Sequence, residues 1–212
     1  MTSNTLDHPM FSHPIIPLAT VRAGAHIDVI GDGLVAAGLP IVEVALRGPH
    51  GMPALERLAA RGDLLVGAGT VLTTAQARQA LDAGAEFIVA PSFDADVVDY
   101  VAGTGHPVIP GVLTPTEVGT AARFGLTHLK LFPAAAVDAQ SLLSAYADIY
   151  PDVRFMPSAG VNQHNVADFC SRPSVFAVSG SWITARADGG AAAVAAAARD
   201  AIAACRAAVP PR

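Results

Sequence analysis

Lysine is all but missing from this chain. Lys130 is the only one in 212 residues, and every other member of its 13 lysines and arginines is an arginine. Charge of either sign is sparse at 15%, and aromatic residues make up 6%, against a hydrophobic fraction of 52%. So apolar a composition excludes disorder for most of the chain and supplies a sizeable core. The net charge of −5 leaves no basic footprint, so neither nucleic acid nor an anionic membrane surface is an expected partner. Cysteine is scarce too, and Cys170 and Cys205 have no metal-ligand spacing. Two cysteines in such a chain suit a reducing cytoplasm, although the spacing leaves a disulfide open. The seven histidines are scattered with no helical or hairpin ligand spacing, so no metal site is expected. The N-terminus lacks a basic region followed by an apolar one, and the longest apolar run, among the C-terminal alanines, is short and bounded by charges. Neither a secretory leader nor a membrane span is expected, and the reading is a cytoplasmic protein.

What is present is a regular alternation. Residues 1–13 hold no period and read as a mobile or capping arm. After them, apolar strand-like segments fall at 14–21, 40–46, 64–68, 86–90, 108–110, 127–132, 153–156 and 175–178. Helical patterns lie between and after them, at 25–37, 52–60, 74–83, 94–102, 114–124, 138–149, 162–170 and 190–208, several with Thr or Asp at the start and Gly at the stop. Short buried strands joined by helices imply parallel pairing. Eight such units imply an α/β protein with a closed (β/α)8 TIM barrel, one domain over 14–212. An open doubly wound sheet is the alternative, but no Gly-x-Gly-x-x-Gly follows the first strand.

In such a barrel the reactive groups sit at the carboxyl ends of the strands. Lys130 lies in Thr127-His128-Leu129-Lys130-Leu131-Phe132-Pro133, flanked by apolar residues on both sides. A desolvated lysine can lose its proton and attack a carbonyl, which arginine cannot do; a snorkelling or salt-bridged lysine is the competing reading. In Ile41-Val42-Glu43-Val44-Ala45-Leu46-Arg47, strand alternation puts Glu43 and Arg47 on one face, opposite the valines. They read either as a structural ion pair or as a general acid/base beside a cation that grips a carboxylate. His128 shares the Lys130 face one residue pair deeper and reads as a core histidine. Gly67-Ala68-Gly69-Thr70 offers close backbone approach and a hydroxyl. The small residues of Pro157-Ser158-Ala159-Gly160 and Ser179-Gly180-Ser181-Trp182 follow the seventh and eighth strands, where many barrels bind phosphate; ordinary tight turns would look the same.

The chain resembles the family of 2-keto-3-deoxy-6-phosphogluconate (KDPG) and 4-hydroxy-2-oxoglutarate (KHG) aldolases from about Pro14 to Trp182. The resemblance is carried in order by Val42-Glu43-Val44-Ala45-Leu46-Arg47, Gly67-Ala68-Gly69-Thr70-Val71-Leu72, Ala90-Pro91, Ile109-Pro110-Gly111-Val112, Leu129-Lys130-Leu131-Phe132-Pro133-Ala134 and Gly180-Ser181-Trp182. It implies a homotrimeric class I aldolase acting on a small ketoacid, with no metal or other cofactor. Lys130 would form the Schiff base and Glu43 would move protons. Arg47 and Thr70 would hold the pyruvate carboxylate, and Pro91 and Phe132 would shape the pocket. Ser158, Ala159, Gly160, Gly180 and Ser181 would receive phosphate. The chain departs from the family's Thr-Gly-Gly at Ser158-Ala159-Gly160, where Ala159 adds a β-carbon beside the amides. Arg47 points to the gluconate-type rather than the galactonate-type enzyme. An aldolase for an unphosphorylated 2-keto-4-hydroxy acid, and a sugar-phosphate-binding barrel in which Lys130 only pairs with Glu43, are the alternatives.

Overall fold

The computed structural model describes residues 7–208. Parallel strands and helices alternate along them: β1 (Ile15–Ala19), α1 (His26–Ala36), β2 (Ile41–Ala45), α2 (Gly51–Ala59), β3 (Leu65–Gly69), α3 (Thr74–Asp82), β4 (Phe87–Val89) and α4 (Ala95–Thr104). There follow β5 (Val108–Ile109), β6 (Gly111–Val112), α5 (Pro115–Arg123), β7 (His128–Leu131), α6 (Ala139–Ile149), β8 (Arg154–Pro157), α7 (Val166–Cys170), β9 (Val178–Gly180) and α8 (Gly190–Ala208).

Two parallel sheets result, one of six strands in the order β5-β4-β3-β2-β1-β9 and one of three in the order β6-β7-β8. The continuous eight-stranded ring expected from the sequence is therefore corrected: the ladder is interrupted twice. At Pro110 the chain has no amide hydrogen to donate, and it divides one extended segment into β5 and β6. Between β8 and β9 the contact is reduced to isolated bridges at Phe155↔Val175 and Ser158↔Ser179. The architecture is a curled parallel α/β sheet with helices outside, barrel-like in form.

Burial explains why these segments become strands. All five residues of β2 are buried, as are all three of β4 and of β9. Such segments satisfy their backbone only by laddering inside a shell of helices. The helix starts follow side-chain chemistry: Thr73 and Asp94 cap α3 and α4, and Thr114 with Glu117 forms a capping box on α5. α7 is shorter than the expected 162–170 because Asn162 and Asn165 fold the approach into a turn, their side-chain amides donating to the Gly160 carbonyl at 3.1 and 3.0 Å.

The expected arm at 1–13 is partly structured. Residues 1–6 and 209–212 lie outside the described residues, but Pro9–Ser12 forms a 3-10 turn whose Met10 is fully buried, and Phe11 packs on His128 with ring centroids 4.5 Å apart. Cys170 and Cys205, whose pairing the spacing left open, form a disulfide that joins α7 to α8. Among the described residues no helix is long and apolar enough to cross a membrane.

Candidate active site

Lys130 and Glu43 meet inside the curled sheet. β7 carries Lys130 next to Gly111 of β6 and Met156 of β8, and β2 carries Glu43 between Leu18 of β1 and Gly67 of β3. The Lys130 ammonium donates to Glu43 Oε1 at 3.2 Å. Lys130 is 4% exposed and Glu43 0%. Glu43 Oε2 accepts a second hydrogen bond, from the Ser179 hydroxyl on β9 at 3.1 Å. Gly69 lies against the carboxylate at Oε1, where any β-carbon would strike that oxygen and come within 2.7 Å of Glu43 Cγ. Gly69, expected as a place for a ligand to approach the backbone, thus makes room for the carboxylate itself. The Phe132 ring lies with its centroid 5.4 Å from Lys130 Nζ, within cation–π distance of the amine.

Arg47 is not on the Glu43 strand as alternation implied. β2 ends at Ala45, and Arg47 stands exposed in the loop beyond it, its guanidinium donating to Thr20 Oγ1 at 3.2 Å. It lines a cleft of about 290 Å³ together with Thr20, Arg22, His26 and Ser181, beyond the carboxyl ends of β1, β2 and β9. The arginine expected at the pyruvate carboxylate and a serine expected at the phosphate therefore share one wall. Thr70 follows β3 in the left-handed region at φ 63°, unusual for a β-branched residue and held there only by its surroundings. Pro91 is half-buried after β4, its carbonyl packed against Gly111.

The loops after β8 and β9 are brought side by side by the Ser158↔Ser179 bridge. Ser158 is buried, Ser181 exposed. Ala159 takes φ 65° and Gly160 φ 97°, and the Ser158 and Ala159 carbonyls accept from the Ala134 and Ala135 amides just after the lysine strand. Two of the small residues have packing reasons. A β-carbon on Gly160 would strike Ala135, and one on Gly180 would lie 2.7 Å from the Val161 carbonyl. Neither glycine by itself argues for phosphate.

Sequence reasoning passed over Thr20, Arg22 and His26, and placed Ser179 only among the small residues after the last strand. The carboxyl-end rule applied to β1 would have found the first two. Nothing in the sequence singles out Ser179, whose partner is 136 residues away.

Parallel strands wrapped by helices around a buried amine–carboxylate pair define an α/β barrel-like class of protein. The comparisons agree. The model of the family described as KDPG and KHG aldolase matches residues 6–197. The 2-dehydro-3-deoxy-phosphogluconate aldolase of Treponema pallidum is 38% identical over 173 residues, 80% of this chain and 81% of that one. The crystal structure of the Zymomonas mobilis ZM4 2-keto-3-deoxy-6-phosphogluconate aldolase with 3-phosphoglycerate superposes with TM-score 0.85 at 31% identity, covering 95% of this chain and 96% of that one. That of a Legionella pneumophila KDPG aldolase, with pyruvate captured at low pH as a covalent carbinolamine intermediate, gives TM-score 0.84 at 31% identity over 88% and 93% of the two chains. The chain belongs to the KDPG and KHG aldolase family.

Proposed function

We propose that the protein is a metal-independent class I aldolase, a lyase that reversibly cleaves 2-keto-3-deoxy-6-phosphogluconate to pyruvate and glyceraldehyde 3-phosphate in the Entner–Doudoroff route of carbohydrate metabolism. The single observation that carries this reading is the buried Lys130 Nζ, 3.2 Å from a buried carboxylate that can take its proton. The amine attacks the C2 carbonyl, and loss of water from the carbinolamine leaves a protonated Schiff base. Glu43 accepts the C4 hydroxyl proton as the C3–C4 bond breaks. The electron pair flows into the iminium, and the aldehyde departs from an enamine of pyruvate. Protonation at C3 and hydrolysis release pyruvate and restore the amine. The same steps serve any 2-keto-4-hydroxy acid, 4-hydroxy-2-oxoglutarate included.

Arg47 and Thr70 take the ketoacid carboxylate in this reading, and Pro91 and Phe132 wall the pocket. Ser158, Ala159, Gly160, Gly180 and Ser181 take the phosphate, and the cleft that Arg22 and Arg47 share with Ser181 supports an anionic substrate end there. The β5–β6 segment counts as one strand broken at Pro110, so that the two sheets form one eight-stranded barrel over 14–212 with the residues before it as an arm. The reading includes a cytoplasmic homotrimer. Its support is apolar surface such as Leu72 and Phe124, exposed at 52% and 42%, which association would cover.

The sole lysine makes the test clean. Borohydride reduction in the presence of pyruvate should add the reduced adduct at Lys130 alone, and Lys130→Arg should lose nearly all cleavage activity. An active protein that traps nothing, or traps it elsewhere, overturns the mechanism; tight binding of a sugar phosphate without trapping would favour a binding barrel instead.

A further inference from the structure

We propose that Ser179 is a positioning residue for the aldol cleavage, holding Glu43 by Oε2 so that Oε1 stays aimed at the reacting atoms. The proposal rests on the Schiff-base reading above and adds to it a group that neither the lysine chemistry nor the pocket requires.

The geometry is specific. Ser179 is 0% exposed, in the middle of β9, where its backbone pairs with Ile16 of β1 and bridges to Ser158. Its hydroxyl donates to Glu43 Oε2 at 3.1 Å while Lys130 donates to Oε1 at 3.2 Å. Each carboxylate oxygen thus has its own donor, one on either side of the barrel interior.

Only one of these two bonds lasts through the reaction. Once Lys130 Nζ bonds to substrate carbon, its contact with Oε1 is remade, and Oε1 becomes the oxygen that takes the C4 hydroxyl proton. The Ser179 bond lies on the oxygen remote from that chemistry. It fixes the plane of the carboxylate through the carbinolamine, the cleavage and the enamine. Gly69 lies against the Oε1 side without a side chain and leaves Oε2 to Ser179. A carboxylate held at one end only, in so dry a site, would be free to turn about its last bond, and an unpartnered Oε2 would favour the protonated acid. Few other charges bear on it. β1, β3 and β9 carry no titratable side chain, and the strands opposite carry, besides Lys130, only His128 and Arg154 at their amino-terminal ends.

The experiment compares the wild type, Ser179→Ala and Ser179→Cys by borohydride trapping with pyruvate and by pH profiles of kcat and kcat/KM for KDPG cleavage. Ser179→Ala should still trap pyruvate on Lys130. Its kcat should fall about tenfold with KM within about twofold, the loss of one hydrogen bond to a charged group. The acidic limb of its kcat/KM profile should move up by about half to one pH unit, which a merely structural serine would not cause. Ser179→Cys, close in size and a weaker donor, should fall between the two, and it decides the matter if Ser179→Ala fails to fold. An acidic limb and kcat unchanged in a folded variant, with the wild type trapping pyruvate, overturn the role of Ser179 and leave the aldolase reading standing. A wild type that traps nothing overturns both.

Discussion

Replacing Lys130 with methionine should destabilise the protein, even though methionine keeps most of the apolar stem. The change deletes one partner of an ion pair whose members are 4% and 0% exposed and 3.2 Å apart, and strands the other as a buried charge. Losing one partner of such a pair costs about 3–5 kcal/mol; Ser179 still donates to Oε2, which places this case at about 3 kcal/mol. With a urea slope of about 2 kcal/mol per molar, the unfolding midpoint should fall by about 1.5 M at pH 7.

A second substitution supplies the control. Adding Glu43→Gln to Lys130→Met should recover at least about 1 kcal/mol at pH 7, since a neutral amide needs no counter-charge. Urea titrations followed by fluorescence of Trp182 at pH 7 measure all three proteins. A single variant within about 0.3 M of the wild-type midpoint, or a double variant no more stable than the single one, would refute the claim that Lys130 and Glu43 hold each other as a buried pair.

Acid should weaken the fold around His128. His128 lies between Phe11 and Phe176, with ring centroids 4.5 and 4.8 Å away, and burial, with Arg154 nearby, pushes its pKa down to about 4. A group whose folded pKa lies below its ordinary value resists protonation in the native state, so its stabilisation is complete above about pH 6.5 and is lost as the pH falls towards 4. Discounted for the part of the ring open to solvent, the loss is about 1–2 kcal/mol, and His128→Leu should lack it; equal acid losses in both proteins by urea titration would remove the explanation. At the other end of the barrel, Ala159→Gly relieves a left-handed alanine at φ 65° and clears the amides beside it. KM for the phosphorylated substrate should drop about fivefold relative to that for an unphosphorylated 2-keto-4-hydroxy acid, with kcat little changed, in steady-state assays; an unchanged ratio would mean that the phosphate does not approach this loop.

The strands and helices were legible because strands enclosed by helices must be short and apolar throughout, and the helices carry their caps in sequence, as Thr114 and Glu117 show. Lys130 and Glu43 were legible for the opposite reason, as charged residues inside such runs, where burial demands a partner. The errors fall where local chemistry has two readings. The last strand, expected at 175–178, lies at Val178–Gly180, because serine and glycine read as a turn when nothing shows that a neighbouring strand will take up their backbone. That shift is what hides Ser179. Read as a loop serine it is one small residue of a phosphate-type turn, whereas in β9 it stands next to β1, one strand from Glu43. Arg47 was misplaced by the same reasoning in reverse, since alternation was carried two residues past the end of β2, into a loop where it no longer decides which way a side chain points. Residue type can announce a group that needs a partner. The residue that answers is chosen by closure of the sheet, and for Glu43 the second answer comes from a strand 136 residues along the chain.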